Sequence, residues 1–205
     1  MSMSKNFSLL SKAWNKESQR SIRARFKLIL MTLVFVLSLV GMTPTSVLAA
    51  GITYYVNKTV TCSDLNTGLN PAAPFCTIGK GTSVALAGDI VRVLAGTYSE
   101  TVLAVRSGTA GYPITFSAAP GVIVTGNGTA TGSAFRVTSM NYITVDGFTI
   151  NNTKENGIYV ATGSNIILSN NIVTNSATHG IFVTNSSNVT VSDNQVRTSA
   201  AGYGI

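Results

Sequence analysis

From Ala134 onward, apolar and polar residues alternate in short runs that return at a fixed interval. The segments 141–150 (NYITVDGFTI), 165–173 (NIILSNNIV) and 188–196 (NVTVSDNQV) align with one another. Ile143, Ile166 and Val189 then fall 23 residues apart, as do Val145, Leu168 and Val191. A second register agrees, because Gly157-Ile158, Gly180-Ile181 and Gly204-Ile205 recur at steps of 23 and 24. A fixed period of this size is the mark of a solenoid. The short alternating runs make it an all-β parallel β-helix of about 23 residues per coil, not a stack of helices.

The alternation also assigns directions, since successive side chains of a strand point to opposite faces. Phe135 and Val137, Ile158 and Val160, and Ile181 and Val183 point inward on the Gly-Ile strand. Ile143 and Val145 with their equivalents fill a second strand, and Ile150, Val173 and Val196 a third. Phe148, Asn171 and Asn194 occupy the bend between the second and third strands. Stacked asparagines there can hydrogen-bond along the axis as a ladder, a structural role rather than a catalytic one.

Before the regular coils the pattern is looser. Gly51–Asn57 reads as a first strand, and residues 58–76 as a long loop with Asn-Pro and Ala-Pro turn steps. Thr77–Ala87 is the one helix candidate, with Thr77 as its cap and Gly88-Asp89 as its stop. Its predicted job is to cover the open first coil, which would otherwise expose unpaired backbone and apolar core. Strands are then predicted over Asp89–Leu94, Glu100–Val105, Pro113–Ser117, Val122–Thr125 and Ala134–Val137. Residues 89–205 are thus read as coils, and 51–88 as a strand, loop and cap. The chain stops two residues into a Gly-Ile strand with no polar terminal cap, so the sequence is expected to be the front part of a longer or truncated protein.

Composition changes this picture at the N-terminus. Seven basic residues, Lys5 to Lys27, precede the apolar run 28–40 and the small residues at Ala49 and Ala50. Residues 1–50 therefore read as a secretory signal peptide cleaved near Ala49 or Ala50, which implies a secreted or cell-surface protein. The apolar run of 13 is short of the roughly 20 residues that span a bilayer, so any membrane contact would run through an uncleaved leader. The whole chain carries a formal charge of +7 from 14 basic and seven acidic residues. Without the leader seven basic and six acidic residues remain, a net +1, and nucleic-acid binding loses its support. Cys62 and Cys76, 14 apart in the exported part, suit a disulfide closing the loop, with two free thiols as the alternative. No further Cys or His lies nearby to make them a metal pair.

Candidate chemistry follows from the coil register. Arg136, Tyr159 and Phe182 alternate with the inward residues of the Gly-Ile strand and should form an outward stack, with rungs about 4.8 Å apart. Aromatic rings stack on the apolar faces of sugars, and Arg pairs with carboxylates, so these three are candidate substrate-binding residues. A surface row of merely β-prone residues is the alternative. His179, the only histidine, sits at the edge of the same face in register with Asn156 and Tyr203. It is a candidate contact, and an acid or base by residue type, with an ordinary solvated loop histidine as the alternative. Lys154 beside Glu155 reads as a surface ion pair. Asp146 and Asp193 lie two coils apart and cannot share a calcium ion, so they read as turn residues, and no metal site is assigned. Arg197 reads as surface. No pair of carboxylates shares one face at the 5–9.5 Å that glycoside hydrolysis needs.

Four blocks in fixed order carry a family likeness: 54–57 (YYVN), 70–78 (NPAAPFCTI), 87–102 (AGDIVRVLAGTYSETV) and 107–116 (SGTAGYPITF). Together they resemble the N-terminal region of right-handed parallel β-helix proteins of the pectate lyase superfamily, of the polysaccharide lyase family 9 type. The resemblance covers nearly all of residues 51–205. It implies a polysaccharide lyase that acts on acidic polysaccharide by β-elimination, with calcium offsetting the uronate charge and a Lys or Arg removing the proton. It also implies substrate binding on the face of the Gly-Ile strands. No position here matches the family's Asp cluster, so no catalytic residue carries over and the calcium site is expected on coils outside this segment. The segment alone is expected to be inactive, and the complete protein a monomer. A non-catalytic surface or adhesion module on the same scaffold is the competing reading.

Overall fold

In this computed structural model the described residues are 51–126, 132–199 and 204–205, so the leader assigned to residues 1–50 lies outside them. They fall in the compact unit Leu48–Ile205. In chain order the elements are β1 (Thr53–Val56), the helix α1 (Ile78–Val84), β2 (Ile90–Val93), β3 (Gly96–Tyr98), β4 (Val102–Leu103), β5 (Ile114–Ala118), β6 (Val122–Val124) and β7 (Phe135–Thr138). The regular coils continue with β8 (Asn141–Asp146), β9 (Thr149–Asn151), β10 (Ile158–Ala161), β11 (Ser164–Ser169), β12 (Ile172–Ser176), β13 (Ile181–Thr184), β14 (Ser187–Ser192) and β15 (Gln195–Ser199).

These strands form three sheets, and every pairing between named strands is parallel. One sheet runs β1-β2-β5-β8-β11-β14, a second β3-β6-β9-β12-β15, and a third β4-β7-β10-β13. The chain visits the sheets in rotation, which is the β-solenoid the repeat predicts. The registers match as well: Ile143, Ile166 and Val189 pair in one stack, and Ile158 pairs with Phe135 and Ile181 in another.

The core is the column of inward residues. Phe116, Phe135 and Phe148 meet edge to face, with ring centroids 5.3 and 5.5 Å apart. Val145, Ile150, Ile158, Leu168 and Val173 are fully buried around them. Burying side chains of this size stabilises by about 1.5–3 kcal/mol each relative to exposure. Phe148 fills the bend that later coils fill with asparagine. There the predicted ladder is present: the Phe148 amide donates to Asn171 Oδ1 at 3.0 Å, and the Asn171 amide to Asn194 Oδ1 at 2.9 Å. Asn171 Nδ2 donates to Asn194 Oδ1 and to the Val145 carbonyl.

The corners use left-handed backbone in register. Gly147, Asn170 and Asp193 form one such column, with φ of 79°, 56° and 56°. Tyr142, Asn165 and Asn188 form another. Asn and Asp tolerate this region because their short polar side chains bond locally, which explains the Asn-rich composition of the coils. Asp193 is therefore a turn residue, as its sequence context indicates.

Three elements depart from the sequence reading. The stretch Gly96–Tyr98 is a strand, although its glycine and its three-residue length hide any alternation. The helix ends at Val84, three residues before the predicted last residue, Ala87. Asp89 causes this, because its carboxylate takes the Leu86 and Ile52 amides, each at 2.8 Å, and Ala85 turns extended. The strand predicted over Glu100–Val105 shrinks to Val102–Leu103 because Glu100 is engaged elsewhere: its carboxylate accepts the Ile78 and Gly79 amides at 2.9 and 2.8 Å.

The helix start is held from three sides. Thr77 Oγ1 accepts from the Lys80 amide at 3.1 Å, and Asp64 accepts from the Cys76 and Thr77 amides. Ile78 and Gly81 are buried, and a Cβ on Gly81 would lie 2.5 Å from Val91 Cγ1. Helix α1 thus packs on β1, β2 and β4, where β1 and β4 end their sheets. Cys62 and Cys76 are joined in a disulfide, with Cα atoms 5.1 Å apart.

Candidate functional site

The sheet β4-β7-β10-β13 carries the outward row that the alternation places there. Tyr159 pairs with Arg136 on one side and Phe182 on the other, while Phe135, Val137, Ile158, Val160 and Ile181 are buried beneath. The rings of Tyr159 and Phe182 stack with centroids 5.9 Å apart, inclined by 28°. The Arg136 guanidinium lies 5.0 Å from the Tyr159 ring centroid, a cation–π contact worth about 0.5–1 kcal/mol at an exposed site. Leu103, which the sequence reading did not include, pairs with Arg136 and lengthens the row by one rung.

His179 belongs to this row. Its imidazole stacks on Phe182 at 4.6 Å between centroids and 22° between planes. Of the two sequence readings, candidate contact or solvated loop residue, its geometry suits the first: the ring is packed against an aromatic neighbour and bonded to the coil before it. His179 Nδ1 lies 3.1 Å from Asn156 Oδ1, which also accepts from Thr178 Oγ1 at 2.8 Å.

Beside the row runs a polar network. Asn156 Nδ2 donates to Ser133 Oγ at 3.4 Å, and Ser133 Oγ donates to Glu155 Oε2 at 2.9 Å. Ser133 and Asn156 are both buried. The same Glu155 oxygen lies 3.8 Å from Arg136 Nη1. Glu155 therefore faces Arg136, and its expected pairing with adjacent Lys154 is not formed. Tertiary register decides this, because Glu155 sits one residue before the Ser133–Asn156–His179 column, on the same side as Arg136. The 23-residue step from Ser133 to Asn156 was the signal available in the sequence for this network.

The row and network give one continuous surface: an aliphatic residue, a guanidinium, two aromatic rings and an imidazole. It offers ring faces to the C–H faces of sugars and charged hydrogen-bond donors to their oxygens.

The remaining acidic groups of the described residues bond within the chain or hold turns. Asp146, on the outward face of β8, accepts from Ser169 Oγ and Asn170 Nδ2, each at 2.8 Å. Asp64, Asp89 and Glu100 cap backbone amides around the helix. Among the described residues no group of three or more His, Cys, Asp or Glu could hold a metal ion. The calcium-binding Asp cluster implied by the family resemblance does not fit these residues, and no catalytic step is derived through it. Arg197 donates to Gln195 on the exposed face of β15. The expected alignment of His179 with Tyr203 lies outside the described residues.

Known structures share the fold. The chain is similar to pectate lyase Pel9A, with 22% identity and a TM-score of 0.63 over 77% of this chain and 42% of that one. It is similar to a rhamnogalacturonan lyase, with 20% identity and a TM-score of 0.58 over 74% of this chain and 43% of the other. A third likeness, to XylC in complex with xylose, has 14% identity and a TM-score of 0.52 over 72% of this chain and 54% of that one. The chain thus spans less than half the length of the two lyases. No curated protein matches the sequence. Residues 54–202 match the model of the Pel9A-like right-handed β-helix region, and with most of the chain matched the protein belongs to that family.

Proposed function

We propose that this is an exported, carbohydrate-active protein of the pectate-lyase type, and that its described coils bind acidic polysaccharide along the row Arg136, Tyr159, Phe182 and His179. The observation that carries the reading is the stacked row itself, three consecutive outward side chains on one sheet with His179 stacked beside them, in a family member. Membership in a family named for a pectate lyase supports a uronate-containing ligand, and the Cys62–Cys76 disulfide supports an oxidising, extracellular setting. In this reading the coils described here position the glycan. Any β-elimination uses a base and a charge-neutralising calcium held outside them.

Calorimetric titration with oligogalacturonate tests the binding role. Tyr159→Ala and Phe182→Ala should each weaken binding roughly tenfold, the effect of losing one stacked ring of about 1.5 kcal/mol, with thermal stability little changed. Unaltered affinity in both variants would remove the row from the binding surface. An absorbance assay for unsaturated product, run on pectate with calcium, separates a lyase from a purely binding module. The described coils alone should give no product.

A further inference from the structure

Arg136 is the one guanidinium in the row, and it already faces a carboxylate of its own chain. Glu155 is fixed there by Ser133 Oγ at 2.9 Å, and Ser133 is in turn held by the buried Asn156 amide at 3.4 Å. The Glu155–Arg136 separation of 3.8 Å is longer than a hydrogen bond. The two charges therefore attract without a direct hydrogen bond between these atoms. Both side chains remain accessible, at 25% for Arg136 and 38% for Glu155. A ligand carboxylate approaching Arg136 meets a guanidinium it can bond directly, and a resident anion that repels it.

From this geometry we infer that Glu155 is a specificity residue: an intramolecular competitor for Arg136 that lowers the platform's preference for uronates over neutral sugars. The inference rests on the binding role proposed above for the row. It names the class of ligand the row accepts, a glycan in which neutral ring faces lie on Tyr159 and Phe182 while a uronate carboxylate engages Arg136 against Glu155. A neutral sugar on the two aromatic rings does not contest Arg136, so its binding is indifferent to Glu155.

Glu155→Gln is nearly isosteric and keeps an oxygen to accept from Ser133, so it removes the charge with little else. Affinities of the purified protein for oligogalacturonate and for a neutral galactan oligosaccharide of equal length are compared at low salt. Glu155→Gln should raise affinity for the acidic ligand about two- to fivefold, the size of one exposed charge pair, and leave the neutral ligand unchanged. Ser133→Ala, which releases Glu155 from its anchor, should move the ratio the same way by less and serves if the first variant does not fold. Raised salt should erase the difference. An unchanged acidic-to-neutral ratio, or weaker acidic binding because Glu155 was holding Arg136 in place, overturns the inference while the row remains a binding surface. No binding of either glycan by the unaltered protein overturns both.

Discussion

Asn171 shows how one side chain can hold a coil. It is fully buried, and its amide satisfies the Phe148 N–H, the Val145 carbonyl and Asn194 in adjacent rungs. Replacing it with alanine leaves the buried Phe148 N–H without its acceptor, at a cost of about 1–3 kcal/mol, while the Val145 carbonyl keeps its place in the β8–β11 ladder. Asn171→Ala should therefore lower unfolding stability by roughly 1–3 kcal/mol in denaturant titration, and a loss within experimental error would show that the ladder contributes nothing. This role was legible in the sequence, because Phe148, Asn171 and Asn194 share a bend at a constant step. The partnership of Glu155 with Arg136 was not. Neighbours in sequence suggested Lys154, whereas the pair is formed across a coil, where only the three-dimensional path of the loop brings Glu155 over the guanidinium.

Among the elements, the legible ones are those that repeat. Each strand from β7 to β14 follows an apolar alternation that two or three coils confirm independently, and inward and outward faces follow from it. The short strands β3 and β4 and the early end of α1 lack that support. The limits of β4 and α1 come from Glu100 and Asp89, whose carboxylates take the backbone amides of Ile78 and Gly79 and of Ile52 and Leu86. The Gly-Ile steps mark a close approach between elements. A Cβ at Gly157 would stand 2.3 Å from Val173 Cγ1 and 2.6 Å from the Gly180 carbonyl oxygen. Gly157→Ala forces β10 and β12 apart at the corner, an overpacking worth about 1–3 kcal/mol, and should lower the melting temperature measurably. A variant as stable as the parent would mean the corner yields freely.

Across the molecule, stacking in register converts a one-dimensional repeat into faces with different chemistry. One outward sheet carries the stacked row of Arg136, Tyr159 and Phe182, with His179 stacked at its edge, while another carries hydroxyls and the bonded pairs Arg92–Ser117 and Asp146–Ser169. Reading the sequence located the first face because aromatic residues at a constant spacing stand out. It placed His179 only at the edge, since stacking on Phe182 depends on ring orientation that spacing does not encode. Binding by the first face is the central claim, and side-chain chemical-shift mapping during titration with oligogalacturonate tests it most directly. The account predicts saturable shifts concentrated at Arg136, Tyr159, His179 and Phe182. Shifts centred instead on Arg92, Ser117 and Asp146 would contradict it.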